Sequence, residues 1–122
     1  MNWSAIAAVL LALAVGLGAF GAHGLRDRLD AYLMDIYRTA VLYHFLHALG
    51  MLIVSVLPKT GALAETGAEA VCWLLFAGIL IFSGSLYVLA ITGTRALGAI
   101  TPFGGVALIA AWVWLAWKLA RQ

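Results

Sequence analysis

The chain has 122 residues, of which 66% are hydrophobic and only 10% carry a formal charge. Soluble domains are roughly 45–50% apolar and roughly 25% charged, and a globule this small has too little interior to bury so much apolar surface. Composition therefore excludes a soluble enzyme, a disordered tail and a nucleic-acid binder. It predicts an integral membrane protein.

Four charge-free stretches predict four transmembrane helices. Residues 1–25, 39–58, 70–94 and 96–117 contain no Asp, Glu, Lys or Arg. Each stretch reaches the roughly 20 residues that a helix needs to cross a bilayer, and none alternates as barrel strands do. We predict an all-α fold: an integral membrane four-helix transmembrane bundle that forms one domain over residues 1–122.

Local signals set the helix ends. Gly24 is typical of a helix C-terminus, Pro58 ends a helix, residues 66–69 (TGAE) fit a capping box, and Thr101 with Pro102 fits an N-cap followed by a first-turn proline. The predicted transmembrane helices span about 3–22, 39–57, 67–91 and 102–119. Between the first two, residues 25–36 alternate apolar and charged side chains at helical spacing. This pattern predicts a short amphipathic interfacial helix, and the alternative is a loop leading straight into the second helix.

Polar residues concentrate at one leaflet when the helices thread up and down. The helix ends at that face carry the candidate ligand or polar-network residues, which are His23, Arg38, Tyr43, His44, His47, Ser83, Ser85, Tyr87, Arg95 and Thr101. Arg95 is expected to pair with a carboxylate of the first loop. The opposite end carries tryptophans beside basic residues, as interfacial anchors do.

The distribution of basic residues bears on orientation. Lys and Arg number four on the polar face and three on the opposite face, which is nearly balanced for the positive-inside rule. If Arg38 and Arg95 belong to the polar cluster and are left out of the count, two basic residues remain on the polar face against three on the opposite face. That count favours an orientation with both termini in the cytoplasm. We expect a multi-pass protein of the cell's inner, cytoplasmic membrane.

His44 and His47 lie three residues apart on the second helix, and such groups inside a membrane often mark function. They predict hydrogen bonds to Ser83, Ser85 or Tyr87 that fix the bundle; the alternatives are a bound ligand and a proton relay. Neither haem nor metal is expected, because histidines on one helix cannot ligate opposite sides of a porphyrin and no buried carboxylate or thiolate joins them. No cofactor is predicted.

Small residues on the first helix predict close helix packing, which in lipid replaces the hydrophobic drive. The predicted packing residues are Ala8, Ala12, Gly16, Gly18 and Gly21. The same stripes also permit a homo-oligomer. The letters G-x-G-x-x-G within residues 16–21 do not indicate a nucleotide site, because no strand precedes them.

Four segments resemble one known family. They are residues 18–24 (GAFGAHG), 37–44 (YRTAVLYH) with 47–49 (HAL), 82–87 (FSGSLY) and 101–105 (TPFGG). Together they resemble the domain-of-unknown-function 423 family of small membrane proteins, which is related to transmembrane protein 256 of animals. The resemblance implies a four-helix multi-pass protein and implies no activity.

The sequence thus predicts a non-enzymatic membrane protein whose polar face binds a lipid head group or a partner, or supports assembly of the bundle. The alternative is a small transporter or proton-conducting subunit that uses His44 and His47. A membrane redox protein or enzyme is the third hypothesis, and the sequence shows no catalytic constellation for it.

Overall fold

The computed structural model of the protein describes residues 1–121, and these residues form four α-helices. The helices are α1 (Trp3–His23), α2 (Ala31–Val56), α3 (Glu65–Thr92) and α4 (Thr101–Ala120). Short 3-10 helices, Leu57–Thr60 and Arg95–Ala99, lie in the second and third loops. All four α-helices are long and apolar enough to cross a membrane, which confirms the all-α four-helix transmembrane fold.

The helices pack mainly against their neighbours in the chain. Helix α2 packs on α1 and α3, and α4 packs on α3. The largest buried side chains of the core come from α2 and α3, and they include Met51, Val71 and Leu75. Trp3 at the start of α1 makes an edge-to-face contact with Trp73 on α3, with ring centroids 4.9 Å apart. Helix α3 is therefore the central helix, with α2 and α4 on its two sides.

The interfacial helix predicted over residues 25–36 does not form as a separate element. Asp30 caps α2 by accepting a hydrogen bond from the Leu33 amide at 2.8 Å, and α2 then continues unbroken to Val56. Residues 24–29 form turns instead. Leu25 and Met34 pack with Tyr37 and Ala90 in a small apolar cluster. These two side chains are therefore buried inside the protein instead of lying on the membrane surface, as an interfacial helix would place them.

Two other predicted helix starts are also corrected. Helix α3 begins at Glu65, so Thr66 lies inside the helix and the expected capping box does not form; Ala64 is the N-cap without a side-chain hydrogen bond. In α4, Thr101 is the first helical residue rather than the N-cap, although Pro102 occupies the first turn as expected. The Thr101 hydroxyl has a different partner, Ser85 on α3, at 2.6 Å.

Only one face of α1 is buried, and three of the five predicted packing residues do not lie on it. Ala8, Ala12 and Gly16 are exposed, and a Cβ on Gly16 would meet no atom of the described residues within 4 Å. The packed residues of α1 include Gly18, which faces Val41, and Gly21, which lies against the Tyr37 ring. Because α1 packs mainly on α2, its other face is left to contact lipid or a second copy of the chain.

Gly104 marks the closest approach of α4 to α3. A Cβ at Gly104 would overlap the backbone nitrogen of Phe82, whereas a Cβ at the adjacent Gly105 would lie 3.7 Å from the Phe82 ring, an ordinary contact. A backbone atom cannot rotate away as a side chain does, so this approach requires glycine.

We expect Gly104→Ala to destabilise the bundle by about 1–3 kcal/mol, the usual cost of overpacking a close-packed interior. Gly105→Ala is the matched control, because it makes the same chemical change one residue away without the overlap. Unfolding in detergent micelles measures both free energies. Equal effects of the two substitutions would contradict the close approach.

Candidate functional site

A buried polar network joins α1, α2 and α3. Nδ1 of His44 on α2 lies 2.9 Å from the Tyr87 hydroxyl of α3, and the Ser83 hydroxyl donates to the Ala40 carbonyl at 2.8 Å. The Tyr37 hydroxyl of α2 donates a hydrogen bond to the Leu17 carbonyl of α1. These residues meet because Tyr37, Ala40 and His44 share one face of α2, while Ser83 and Tyr87 lie one turn apart on α3.

His44 is the histidine of this network and is buried, with only 4% of its surface exposed. Its Nε2 atom is buried and makes no hydrogen bond to any described residue. His44 therefore contacts α3 through Nδ1 and Tyr87, while its Nε2 is buried without a hydrogen-bond partner among the described residues.

A second hydrogen-bonded pair ties α3 to the start of α4. The Ser85 hydroxyl lies 2.6 Å from the Thr101 hydroxyl and also donates to the Phe82 carbonyl at 2.9 Å. Ser85 and Thr101 thus hydrogen-bond to each other and not to a histidine. Ser83 and Tyr87 belong to the network around α2.

His47 has different neighbours from His44. Its Nδ1 atom lies 2.7 Å from the Tyr43 carbonyl one turn earlier in α2. Its ring stacks on the Tyr43 ring at 5.7 Å and lies 6.0 Å from the Trp112 ring of α4. No hydrogen bond among the described residues connects His47 to His44, so the two histidines do not form one site.

The remaining three candidates lie outside the buried network. His23, at the end of α1, is exposed. Arg38 is next to Tyr37 in sequence and points away from the network; its guanidinium lies 3.6 Å from the Asp35 carboxylate, and both side chains are more than 70% exposed. Arg95 lies over the Tyr32 ring at 5.0 Å, a cation–π contact rather than the expected pairing with a carboxylate.

A groove of about 360 Å³ runs between the C-terminal half of α1 and the N-terminal half of α2. It is mostly apolar, and its α1 side includes Gly18 and Gly21, which have no side chain to fill the groove. Arg38 is the one charged residue that lines it. The other lining residues are Ala22, Met34, Tyr37, Val41, Leu42 and Phe45.

Tyr37, Phe82 and Trp112 are not among the site residues predicted from the sequence. A signal for Tyr37 existed, because it shares a helical face with His44. Phe82 and Trp112 carried no such signal, since their contacts with Tyr43 and His47 arise only when three helices come together. Within residues 1–121, no three His, Cys, Asp or Glu side chains gather as metal ligands do.

The fold and the comparisons agree on the class of protein, an integral membrane protein with four transmembrane helices. The model of the family described as "Protein of unknown function (DUF423)" matches residues 17–105. The chain is 47% identical to UPF0382 membrane protein YwdK of Bacillus subtilis (strain 168), over 88% of this chain and 87% of that protein. It is 46% identical to UPF0382 membrane protein SH2409 of Staphylococcus haemolyticus (strain JCSC1435), over 90% of this chain and 88% of that protein.

The chain therefore belongs to the DUF423 family of membrane proteins. No solved structure matches it.

We expect Tyr87→Phe to destabilise the bundle by about 0.6 kcal/mol and at most about 1.7 kcal/mol, the range measured for interhelical hydrogen bonds in a membrane protein. The change removes the hydroxyl that contacts His44 Nδ1 and keeps the ring. Tyr43→Phe is the control, because the Tyr43 ring is partly exposed and its hydroxyl makes no hydrogen bond to a described residue. The measurement is unfolding in bicelles, and equal stabilities of the two variants would contradict the role of Tyr87.

Proposed function

We propose that this protein is a non-enzymatic membrane protein that binds a phospholipid in the groove between α1 and α2. One observation carries the proposal: the groove joins a long apolar wall to a single cation, Arg38. A phospholipid has the same two parts, an acyl chain and a phosphate. The buried network beside the groove supports the proposal, because it fixes α2 against α1 through Tyr37.

The chemistry of the groove suits an anionic lipid at the membrane interface. Val41, Leu42 and Phe45 follow α2 away from Arg38 toward the membrane interior, where acyl chains lie. The guanidinium of Arg38 can form two parallel hydrogen bonds to phosphate oxygens, the geometry that makes arginine a preferred phosphate ligand. Asp35 is its present neighbour, but such an exposed pair contributes little and is readily exchanged.

Proton conduction through both histidines has less support. A relay needs groups in hydrogen-bonding reach of one another, and among the described residues His44 contacts Tyr87 while His47 contacts the Tyr43 carbonyl. The Nε2 atom of His44 is buried and has no hydrogen-bond partner among the described residues, so it offers no continuing path.

For location, we propose the cytoplasmic membrane of the cell with both termini in the cytoplasm. The support is the cluster at the end of α4, where Lys118 and Arg121 lie over the Trp117 ring at 5.6 and 4.8 Å. Basic residues held beside an interfacial tryptophan are typical of a cytoplasmic boundary. Arg38 and Arg95 are exposed and therefore count with the polar face, where Lys and Arg number four against three on the opposite face. This near balance does not favour the proposed orientation, so the cluster at the end of α4 alone supports it.

Arg38→Gln should weaken binding of phosphatidylglycerol by about two- to fivefold, as expected for an exposed charge pair. Ala22→Trp should weaken it further, because the indole would fill the groove. Native mass spectrometry with the purified protein measures both effects. The controls are Arg28→Gln and Ala19→Trp, which change an exposed arginine and an exposed alanine outside the groove. If the controls lose as much lipid as the test variants, the groove is not the binding site.

Orientation is tested with single introduced cysteines, since the native Cys72 is buried. With both termini in the cytoplasm, Arg28→Cys should react with a membrane-impermeant maleimide in intact cells. Lys59→Cys, at the opposite face, should react only after permeabilisation. The reverse pattern would contradict the proposed orientation.

A further inference from the structure

His47 carries a hydrogen-bond acceptor that remains accessible at the surface of the protein. Its Nδ1 atom contacts the Tyr43 carbonyl oxygen at 2.7 Å. A carbonyl oxygen only accepts hydrogen bonds, so the proton of the neutral ring must be on Nδ1. Nε2 is then the unprotonated nitrogen, with a lone pair and no proton to donate.

The surroundings leave this acceptor accessible and without a donor. His47 is only partly buried, and Nε2 is not enclosed as the Nε2 of His44 is. No described residue donates a hydrogen bond to it. His47 also lies close to the centre of the charge-free stretch 39–58, where the surrounding hydrocarbon offers neither water nor a donor.

The side chains around His47 are aromatic. The Tyr43 ring stacks on the imidazole with an angle of 19° between the planes, and the Trp112 ring of α4 lies 6.0 Å from the imidazole. Phe82 of α3 packs against Tyr43 with ring centroids 4.5 Å apart. Side chains of three helices thus form an aromatic surface that includes the His47 ring.

A phospholipid cannot satisfy this nitrogen. Its charged and hydrogen-bonding groups remain at the depth of the head groups, and its acyl chains have no donor. The matching ligand dissolves in the hydrocarbon, carries a hydroxyl donor and has a flat ring for the aromatic surface. A membrane-soluble hydroquinone has all three properties.

The geometry points to a second ligand site on the α2–α4 side of the bundle, where His47 Nε2 accepts a hydrogen bond from the ring hydroxyl of a membrane-soluble hydroquinone that packs beside Tyr43 and Trp112. The site lies apart from the α1–α2 groove and does not depend on phospholipid binding there. It is a binding site, and no electron or group transfer is part of the inference.

The test uses the full chain in phosphatidylcholine nanodiscs, titrated with an alkyl-tailed hydroquinone and with its dimethyl ether. The ether keeps the ring and tail but has no hydroxyl proton. We expect the hydroquinone to bind the unmodified protein about fivefold more tightly than it binds His47→Phe, the usual effect of one hydrogen bond. The ether should bind both proteins equally and weakly.

A matched set of variants separates recognition from folding. His47→Gln places an amide oxygen near the position of Nε2, so it should retain binding that His47→Phe loses. His23→Phe removes an exposed histidine at the end of α1 and should bind as the unmodified protein does. The ¹⁵N shift of His47 Nε2 should move with the hydroquinone and remain fixed with the ether.

Several results would overturn the inference. They are equal hydroquinone binding by the unmodified protein and His47→Phe, ether binding as tight as hydroquinone binding, and an Nε2 shift that does not respond to the hydroquinone. If His47→Phe fails to fold, the comparison of the two ligands and the shift measurement still decide the matter on the unmodified chain.

Discussion

Hydrogen bonds made by the face of α2 that carries Tyr37, Ala40 and His44 determine how the helices of this protein fit together. In lipid, an apolar helix surface gains little by exchanging acyl chains for another helix, so apolar contact alone specifies neither rotation nor register. Tyr37 reaches a carbonyl of α1, while His44 and the Ala40 carbonyl each meet a hydroxyl of α3. Each bond contributes only about 0.6 kcal/mol, but together they fix which face of α2 points inward.

Once that rotation is fixed, the places of the other functional candidates follow. Arg38 is adjacent to Tyr37 and so lies outside the network, at the edge of the α1–α2 groove. His47 is three residues after His44, which turns it toward α4 and Trp112. The two histidines therefore differ in kind: one is enclosed within the bundle, and the other lies at its surface.

Much of the fold could be predicted from the sequence because exclusion of charge from the hydrocarbon is a strong constraint. The four charge-free stretches locate all four helices. Helix rotation is less predictable, since α1 has small residues on more than one face and only packing shows that Gly18 and Gly21 are covered while Gly16 is not. The start of α2 depended on whether residues 25–36 lie on the membrane or inside the protein, and burial of Leu25 and Met34 decides it.

The sequence predicted which residues lie near the candidate site, but not which of them hydrogen-bond to one another. The sequence placed His44, Ser83 and Tyr87 at the same leaflet, yet it could not distinguish them from Arg38 and Arg95, which turn outward. Such pairings depend on side-chain directions that differ between adjacent residues of one helix, as Tyr37 and Arg38 show.

The separation of the two histidines into a buried and an accessible one is tested most directly by ¹⁵N NMR of their imidazole nitrogens in bicelles. The shifts distinguish a protonated ring nitrogen from an unprotonated one. The account predicts that Nδ1 of neutral His47 carries the proton and that a Tyr87→Phe substitution shifts the His44 nitrogens while leaving those of His47 unchanged. A proton on Nε2 of His47, or an equal response of both histidines to Tyr87→Phe, would contradict it.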